Sequence, residues 1–306
     1  MRLVTFDHGD GPRLGAVVES SVIDLPRLAE SSGGPSLPQS LLGLIQAGPS
    51  AWQRAREVAD GAAARSDVQG AAFPLTDVKL LAPIPRPAKN VFCLGVNYRA
   101  HLEESNRAAN RQLEPTVPVF FTKAVTAIVA PDAPILFDET VTTKYDWEAE
   151  MGVVIGVGGK NIDQSQAMEH VFGYTCFNDV SARDIQQSHV QWFKGKSLDG
   201  TCPFGPWIIT ADEVKDPHNL DIECRVNGMV KQHSNTSLLI NDIPSIICHL
   251  SRGLTLEPGD LISTGTPSGV GYARTPPEFL KPGDVVEVEV QGVGVLRNPV
   301  VDVREL

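Results

Sequence analysis

The sequence predicts an α+β fold that is mostly β, a mixed β-roll or β-sandwich with helices at its periphery. Short apolar runs bounded by glycine and proline recur along residues 90–306, as expected for many short strands. These runs are not separated by the regular helical crossovers that a doubly wound parallel sheet requires. The fold class therefore follows from the number of short strands and from the missing βαβ alternation.

Hydrophobic periodicity assigns the individual elements of this region. Eight strands are predicted, over residues 90–95, 119–122, 148–157, 173–179, 207–210, 220–226, 260–264 and 284–290. Four short helices are predicted, over residues 97–113, 163–171, 181–191 and 243–252. We therefore expect strands to build the core of this region.

The length of 306 residues suits one large domain with a smaller one. Residues 1–75 carry strand patterns at 2–6 and 14–18, and a helical pattern at 50–65 for which Ser50 is a suitable N-cap. We predict a small N-terminal α+β domain there. Residues 76–89 form a proline-rich connector, and residues 90–306 form the large domain.

The chain has a formal net charge of −11 and a pI of about 5.1. This charge repels nucleic acid and anionic membrane surfaces, so neither is expected as a partner. No apolar stretch approaches the roughly 18 residues of a membrane span, and no secretory signal is evident. The five widely spaced cysteines indicate reduced thiols. We expect a cytoplasmic enzyme that acts on small molecules.

The first candidate functional residues are Glu148 and Glu150, at the start of a buried-type strand. Residues two apart share one face of a strand, so both carboxylates point the same way, with Ala149 opposite. Neighbouring carboxylates repel each other unless a proton or a cation lies between them. An exposed strand face that carries two acids fits the spacing equally well.

Asp179 is the next acid in a comparable setting, because it ends the apolar strand 173–179. It precedes a predicted helix, so it could equally be an N-terminal cap. With Glu148 and Glu150 it would form an all-oxygen ligand set without His or Cys. Such a set favours a hard cation, so Mg²⁺ is expected first, with Mn²⁺ or Ca²⁺ as alternatives.

A second cluster places His101 and Glu104 three residues apart, on one face of a predicted helix. A carboxylate behind an imidazole fixes its tautomer and raises its basicity, an arrangement suited to activating water. An ordinary surface histidine with an intrahelical partner is the alternative. The polar segment up to Glu114 is a candidate mobile lid.

Two further clusters supply polar groups for an anionic ligand. Arg183 and Gln186 share a predicted helix face, and Lys196 lies in a glycine-flanked turn. Such cations suit carboxylate and enolate oxygens, although a solvated helix and loop would look the same. The loop at 264–271 offers backbone amides and hydroxyls to an anion, a weak signal by itself.

Taken in order, these clusters resemble the fumarylacetoacetate hydrolase family over about two-thirds of the chain, from Asn90 onward. The matching motifs are Gly95-Val96-Asn97-Tyr98-x-x-His101-x-x-Glu104, Trp147-Glu148-x-Glu150-x-x-x-x-Ile155-Gly156, Asn178-Asp179-Val180-Ser181-Ala182-Arg183-Asp184-x-Gln186, Lys196-Ser197 and Thr264-Gly265-Thr266-Pro267-x-Gly269-Val270-Gly271. The resemblance implies a β-roll catalytic domain over residues 90–306, a variable N-terminal domain and a homodimer.

The resemblance also implies a role for each matching residue. Glu148, Glu150 and Asp179 match metal carboxylates, and His101 with Glu104 matches a water-activating dyad on a lid. The positions that match substrate contacts or stabilise an oxyanion are Lys196, Arg183, Gln186 and Thr266. Tyr98 and Lys123 are further candidates for substrate binding. The further acidic metal ligand that some members carry upstream of the histidine has no counterpart between Asn90 and His101.

The leading functional prediction is Mg²⁺-dependent hydrolysis of a C–C bond in a β-diketo acid, such as an acylpyruvate or fumarylpyruvate. His101 would activate the water, and Lys196 with the metal would stabilise the departing enolate. The alternative is an isomerase or decarboxylase of a small anionic 2-oxo acid, such as 2-hydroxyhepta-2,4-diene-1,7-dioate or oxaloacetate, in aromatic catabolism. Only the hydrolase is expected to need the dyad. A catalytically silent binding protein is a third hypothesis, disfavoured because every motif position is filled.

Overall fold

The computed structural model describes residues 1–31, 33, 35–63, 68, 70–110 and 112–306. Its α-helices are α1 (Leu25–Ser31), α2 (Leu41–Ala47), α3 (Pro49–Ala63), α4 (Arg99–Ala108), α5 (Arg183–Ser188), α6 (Phe193–Lys196) and α7 (Ile243–Ser251). The strands of the first half are β1 (Arg2–Asp7), β2 (Arg13–Val18), β3 (Ser21–Asp24), β4 (Ala72–Pro74), β5 (Lys79–Leu81), β6 (Val91–Gly95), β7 (Val119–Lys123), β8 (Ile128–Val129), β9 (Ile135–Phe137), β10 (Tyr145–Asp146) and β11 (Ala149–Ile155). Those of the second half are β12 (Val171–Asn178), β13 (Ser181–Ala182), β14 (Cys202–Thr210), β15 (Asp221–Val226), β16 (Met229–Asn235), β17 (Leu261–Ser263), β18 (Val285–Val290) and β19 (Gly294–Asp302).

The strands of the described residues form one large sheet, one smaller sheet and the short pair β10–β13. The large sheet has twelve strands and runs β4-β3-β2-β1-β14-β12-β11-β17-β6-β7, with β5 on β1 and β8 on β14. The smaller sheet has five strands in the order β16-β15-β18-β19-β9. This arrangement confirms the predicted α+β, mostly β fold class.

The core lies on both faces of the large sheet, and strand β11 is covered on both of its faces. All seven of its residues are buried. Met151 and Val153 belong to one apolar cluster with β15 and β18 of the smaller sheet. Val154, on the opposite face, belongs to a second cluster with the helices of the N-terminal segment. A strand covered on both faces needs an almost continuous apolar run, which is the pattern that the sequence shows.

The N-terminal segment continues the large sheet. Strand β1 pairs antiparallel with β14, with Arg2 opposite Ile209 and Leu3 opposite Ile208. The predicted connector at 76–89 contains β5, which pairs with β1. The division into domains 1–75 and 90–306 stays a prediction, but hydrogen bonds join the two segments directly.

All eight predicted strands overlap an observed strand, and the helices show the main errors. The predicted helix 163–171 is wrong, because a short 3-10 helix at Ala167–His170 leads directly into β12. The predicted helix 181–191 begins only at Arg183, after β13, and ends at Ser188. Residues 64 and 65 of the helix predicted at 50–65, and residue 111 of the one at 97–113, lie outside the described residues. The long strands β16 and β19 were not predicted, because polar residues break their apolar runs. The short strands β8, β9, β10 and β13 were not predicted either.

The described residues contain no helix long and apolar enough to cross a membrane.

Candidate active site

Pairing of β11 with β12 brings the three predicted carboxylates together. The strands are antiparallel, so the start of β11 meets the end of β12, with Ala149 opposite Asn178. The Asp179 amide donates to the Glu148 carbonyl at 2.9 Å. Carboxylate oxygens of Glu148, Glu150 and Asp179 lie within 4.8 Å of one another, and all three residues are buried. The solvated strand face that was the alternative for Glu148 and Glu150 is therefore wrong.

Glu150 is held by one of its two oxygens. Its Oε2 accepts hydrogen bonds from Ser263 Oγ at 2.5 Å and from the Gly265 amide at 2.7 Å. Its Oε1 is buried and has no hydrogen-bond partner among the described residues. Burial and the negative charges of Asp179 and Glu148 raise the pKa of Glu150 well above its ordinary value.

Buried cations surround the other two carboxylates. Lys196 Nζ lies 2.8 Å from both Glu148 Oε2 and Asp179 Oδ2. Arg183 Nη1 lies 2.7 Å from Glu148 Oε1, and Lys123 Nζ lies 2.8 Å from Asp179 Oδ1. Burial alone would raise the pKa of Glu148, but Lys196 and Arg183 lower it below its ordinary value. Lys196 ends helix α6, whereas the sequence predicted a turn.

A divalent cation fits this set of residues. All the donor atoms are oxygens, which hard cations prefer. Among the described residues Glu150 has no ion-pair partner, and its Oε1 is orphaned beside two further carboxylates. A buried oxygen of this kind is costly without a partner. The three carboxylates can therefore hold a divalent metal.

The predicted dyad is assembled on helix α4. His101 Nδ1 lies 2.9 Å from Glu104 Oε1, and both side chains are buried. Because a carboxylate only accepts, Nδ1 carries the proton and Nε2 is left free. Asn97, just before the helix, donates to the Thr264 carbonyl at 2.8 Å, which fixes the start of α4 against the 264–271 loop. The alternative of an exposed surface histidine is wrong.

One cavity of about 520 Å³ unites most of the predicted residues. His101 and Glu148 belong to its wall. Polar groups from other clusters complete it: Arg183, Gln186, Lys196 and Thr266. The rings of Phe121, Trp192 and Tyr272 supply apolar surface. The wall thus combines a carboxylate, cations and an imidazole, as a site for a small polar ligand requires.

Two predicted substrate residues lie elsewhere. Neither Tyr98 nor Lys123 is in the wall of this cavity as far as the described residues define it. Tyr98 is buried, its hydroxyl has no hydrogen-bond partner in the described chain, and burial with the charge of Glu150 raises its pKa. Lys123 is buried, and besides Asp179 it binds the Val180 carbonyl at 3.0 Å. Substrate contact by these two residues stays a prediction.

Two residues that hold side chains of the site in place were not identified from the sequence. The Asp146 carboxylate accepts from Arg183 Nε at 2.8 Å and from the amides of Gly271 and Tyr272. Its only signal was its position two residues before Glu148. Gln232 accepts from the Ala149 amide at 2.9 Å and donates to Thr266 Oγ1 at 2.8 Å. It gave no signal, because it lies in the polar strand β16.

Comparison with known proteins agrees with this fold. Residues 90–301 match the family described as fumarylacetoacetate (FAA) hydrolase, C-terminal. The chain therefore belongs to the fumarylacetoacetate hydrolase family, a family of enzymes, as its motifs predict.

Curated relatives align with almost the whole chain. The oxaloacetate tautomerase YisK of Bacillus subtilis is 42% identical over 266 residues, 87% of each chain. The mitochondrial oxaloacetate tautomerase fahd2 of Xenopus laevis is 42% identical over 307 residues, which cover 98% of this chain and 90% of the relative.

Solved structures show the same fold along both chains. A fumarylacetoacetate hydrolase of Exiguobacterium antarcticum is 39% identical with a TM-score of 0.81, and the match covers 99% of each chain. A 2-hydroxyhepta-2,4-diene-1,7-dioate isomerase of Mycobacterium marinum is 34% identical with a TM-score of 0.74, again over 99% of each chain. A maleylpyruvate hydrolase of Sphingobium sp. SYK-6, in complex with manganese(II) and pyruvate, is 31% identical with a TM-score of 0.76 over 99% of each chain.

Proposed function

We propose that this enzyme is a Mg²⁺-dependent keto–enol tautomerase of a short 2-oxo dicarboxylic acid, with oxaloacetate as its substrate. The observation that carries the proposal is His101, paired with Glu104, in the wall of a cavity to which Glu148 of the carboxylate cluster also belongs. The curated relatives at 42% identity are named for this reaction. These relatives favour the alternative functional prediction, an isomerase or decarboxylase of a small 2-oxo acid, over C–C hydrolysis.

Glu148, Glu150 and Asp179 would hold the cation, with Mn²⁺ or Ca²⁺ as possible substitutes. When bound, Mg²⁺ supplies a Lewis acid that polarises the 2-oxo group and stabilises negative charge on its oxygen. A cation in this position also offsets the overall negative charge of the chain toward an anionic substrate.

His101 is the proton carrier in this proposal. Its Nδ1–H donates to Glu104, so Nε2 has a free lone pair. In the direction from keto to enol, the C3–H bond of oxaloacetate breaks and its proton moves to Nε2. The imidazolium then returns that proton to the 2-oxo oxygen, so an O–H bond forms and no water is consumed. Glu104 stabilises the imidazolium between the two transfers.

Arg183 is the best placed residue to bind a substrate carboxylate. Its guanidinium belongs to the cavity wall, and Nη2 is buried without a hydrogen-bond partner among the described residues. Asp146 fixes Nε, and the ring of Tyr272 lies 4.5 Å from the guanidinium carbon. A planar donor fixed in this way suits a carboxylate. Lys196 faces the same cavity and would stabilise an enolate oxygen.

C–C hydrolysis is the second candidate function. The observation in its favour is the 31% identity to the maleylpyruvate hydrolase that binds manganese(II) and pyruvate. In that reaction His101 would activate water instead of carrying a proton between two substrate atoms. The expectation that only the hydrolase needs the dyad is revised in this proposal, because His101 carries the proton of the tautomerisation. Since the dyad would then serve both reactions, the products separate them better than the loss of His101.

The test follows enol-oxaloacetate by its ultraviolet absorbance, with products identified by NMR, in the presence of Mg²⁺. We expect ketonisation well above the buffer rate without release of CO₂. The same preparation should cleave acylpyruvates more slowly. The His101→Ala variant should lose about 100-fold or more, whereas exposed His233→Ala should match the wild type. Cleavage of an acylpyruvate at a higher kcat/KM than oxaloacetate ketonisation would overturn the proposal in favour of hydrolysis.

The assembly and the location of the enzyme are also proposals. We propose a homodimer in the cytoplasm that binds a small anionic 2-oxo acid and neither nucleic acid nor membranes. Light scattering of the purified protein tests the dimer, and a single-chain mass would contradict it.

A further inference from the structure

Val96 has a backbone conformation that its side chain disfavours. Its φ is 51°, in the left-handed region, where β-branched residues are genuine outliers. Glycine or asparagine would occupy this position with less strain. Strain of this kind persists where the surrounding structure imposes it, and it is often found at functional sites.

Both neighbours of Val96 are fixed. A Cβ on Gly95 would come within 2.3 Å of the Trp192 ring, so strand β6 ends tightly against that side chain. The Asn97 side chain binds the carbonyls of Thr264 and Asn241, at 2.8 and 3.0 Å. The link between β6 and α4 is therefore held on both sides, and Val96 takes the conformation that remains.

Two cavities share Val96. It belongs to the wall of the 520 Å³ cavity that contains His101, and to the wall of a neighbouring cavity of about 290 Å³. Gly95 is the other residue that both walls share among the described residues, and it has no side chain. In the described part of the chain, Val96 is thus the one residue with a side chain that belongs to both walls.

The second cavity has a largely apolar wall. Leu102 of helix α4 contributes to it, and Arg99 with Glu114 forms a wide ion pair of 3.8 Å among its residues. The other apolar contributors are Pro115, Val117, Pro118, Val119 and Ile240. An aliphatic chain is the ligand that such a wall suits.

We propose that Val96 is a specificity-determining residue that closes the substrate cavity toward this second cavity and so restricts the enzyme to short 2-oxo acids. This inference rests on the proposed use of the first cavity for 2-oxo acids. A smaller residue at this position opens the apolar space to the tail of a longer 2-oxo acid. Removing the β-branched side chain also relieves the strain, so the substitution is compatible with folding.

The test compares the binding of two unreactive 2-oxo acid analogues, oxamate and N-hexyloxamate, to the Mg²⁺-loaded full chain by calorimetry. For Val96→Gly we expect the affinity for N-hexyloxamate relative to oxamate to rise at least tenfold. Val96→Ala should give a smaller rise, because it leaves a Cβ in the wall. Glu19→Gly is the matched control, since Glu19 has a similar φ of 53° in the exposed turn between β2 and β3. It should relieve comparable strain and leave the ratio unchanged.

Unchanged ratios in both Val96 variants, with normal oxamate binding, would overturn the inference and leave the proposed function intact. A rise of the same size in Glu19→Gly would also overturn it, because strain relief alone would then explain the effect. If wild-type protein bound neither analogue in the presence of Mg²⁺, both the inference and the proposed function would fail.

Discussion

The backbone amide of Gly269 donates to both carboxylate oxygens of Glu104, at 3.0 and 3.1 Å. Glu104 therefore has two tasks, because the same carboxylate orients His101. Helix α4 is fastened to the 264–271 loop through the residue that completes the dyad. The contact that fastens helix α4 to this loop therefore involves the same carboxylate that orients His101.

Substitution of Glu104 by glutamine should cost activity without unfolding the protein. An amide can still accept from Gly269, but it cannot stabilise an imidazolium. We expect kcat to fall by about 100-fold with a much smaller change in KM. The control is Glu103→Gln, an exposed neighbour on the same helix. A higher KM with a normal kcat would contradict the role of Glu104 in proton transfer.

Chelation should abolish activity, and loss of a single carboxylate should have nearly the same effect. For Asp179→Asn and Glu150→Gln we expect at least about a 100-fold loss, since a Lewis acid contributes several kcal/mol of stabilisation to the transition state. Added Mg²⁺ or Mn²⁺ should restore the chelated wild type but not the variants. Exposed Glu169→Gln serves as control. Full activity after exhaustive chelation would refute the proposal that the enzyme requires a metal.

Metal binding should release a proton from Glu150. Burial and the charges of Asp179 and Glu148 raise the pKa of this carboxyl in the metal-free protein, and a cation binds only the ionised form. The apparent affinity should therefore increase as the pH rises toward that pKa and level off above it. Calorimetry in buffers with different ionisation enthalpies measures the released proton. Glu150→Gln should release none, and an affinity independent of pH in the wild type would disprove the linkage.

Asp146→Asn should reduce both stability and substrate binding. The substitution leaves the buried Arg183 guanidinium without a full counter-charge at Nε, 2.8 Å away. Loss of one partner of a buried ion pair costs about 3 kcal/mol or more, which thermal denaturation measures. KM should rise as well, since Arg183 would lose its orientation. Glu139→Gln, which breaks the exposed pair with Arg304, should leave the melting temperature unchanged.

The sequence predicted most of the longer strands of residues 90–306, and the site in part. The spacing of Glu148 and Glu150 fixes their common face, because a strand repeats every two residues. Their distance from Asp179 depends on the register of β11 against β12, with Ala149 opposite Asn178. The sequence alone does not give that register. The three carboxylates were grouped because their motifs resemble those of a known family.

The supporting residues show what a single sequence does not contain. Asp146 contacts the amide of Gly271, 125 residues away, and Gln232 contacts the amide of Ala149 at a separation of 83 residues. No local periodicity encodes such contacts. The predicted helix at 163–171 was wrong for a related reason, because it also depends on distant parts of the chain. Pairing with β11 and β14 holds the chain extended from Val171 onward.

The pairing of β1 with β14 has a practical consequence for anyone who shortens this protein. Strand β14 lies between β1 and β12, and β12 leads into Asp179. A fragment limited to residues 90–306 would leave β14 without its β1 partner at Ile208 and Ile209 and uncover the apolar cluster beneath the N-terminal helices. Open edges of this kind recruit strands from other molecules. Such a fragment should aggregate on expression, so the family boundary at residue 90 is a poor place to cut.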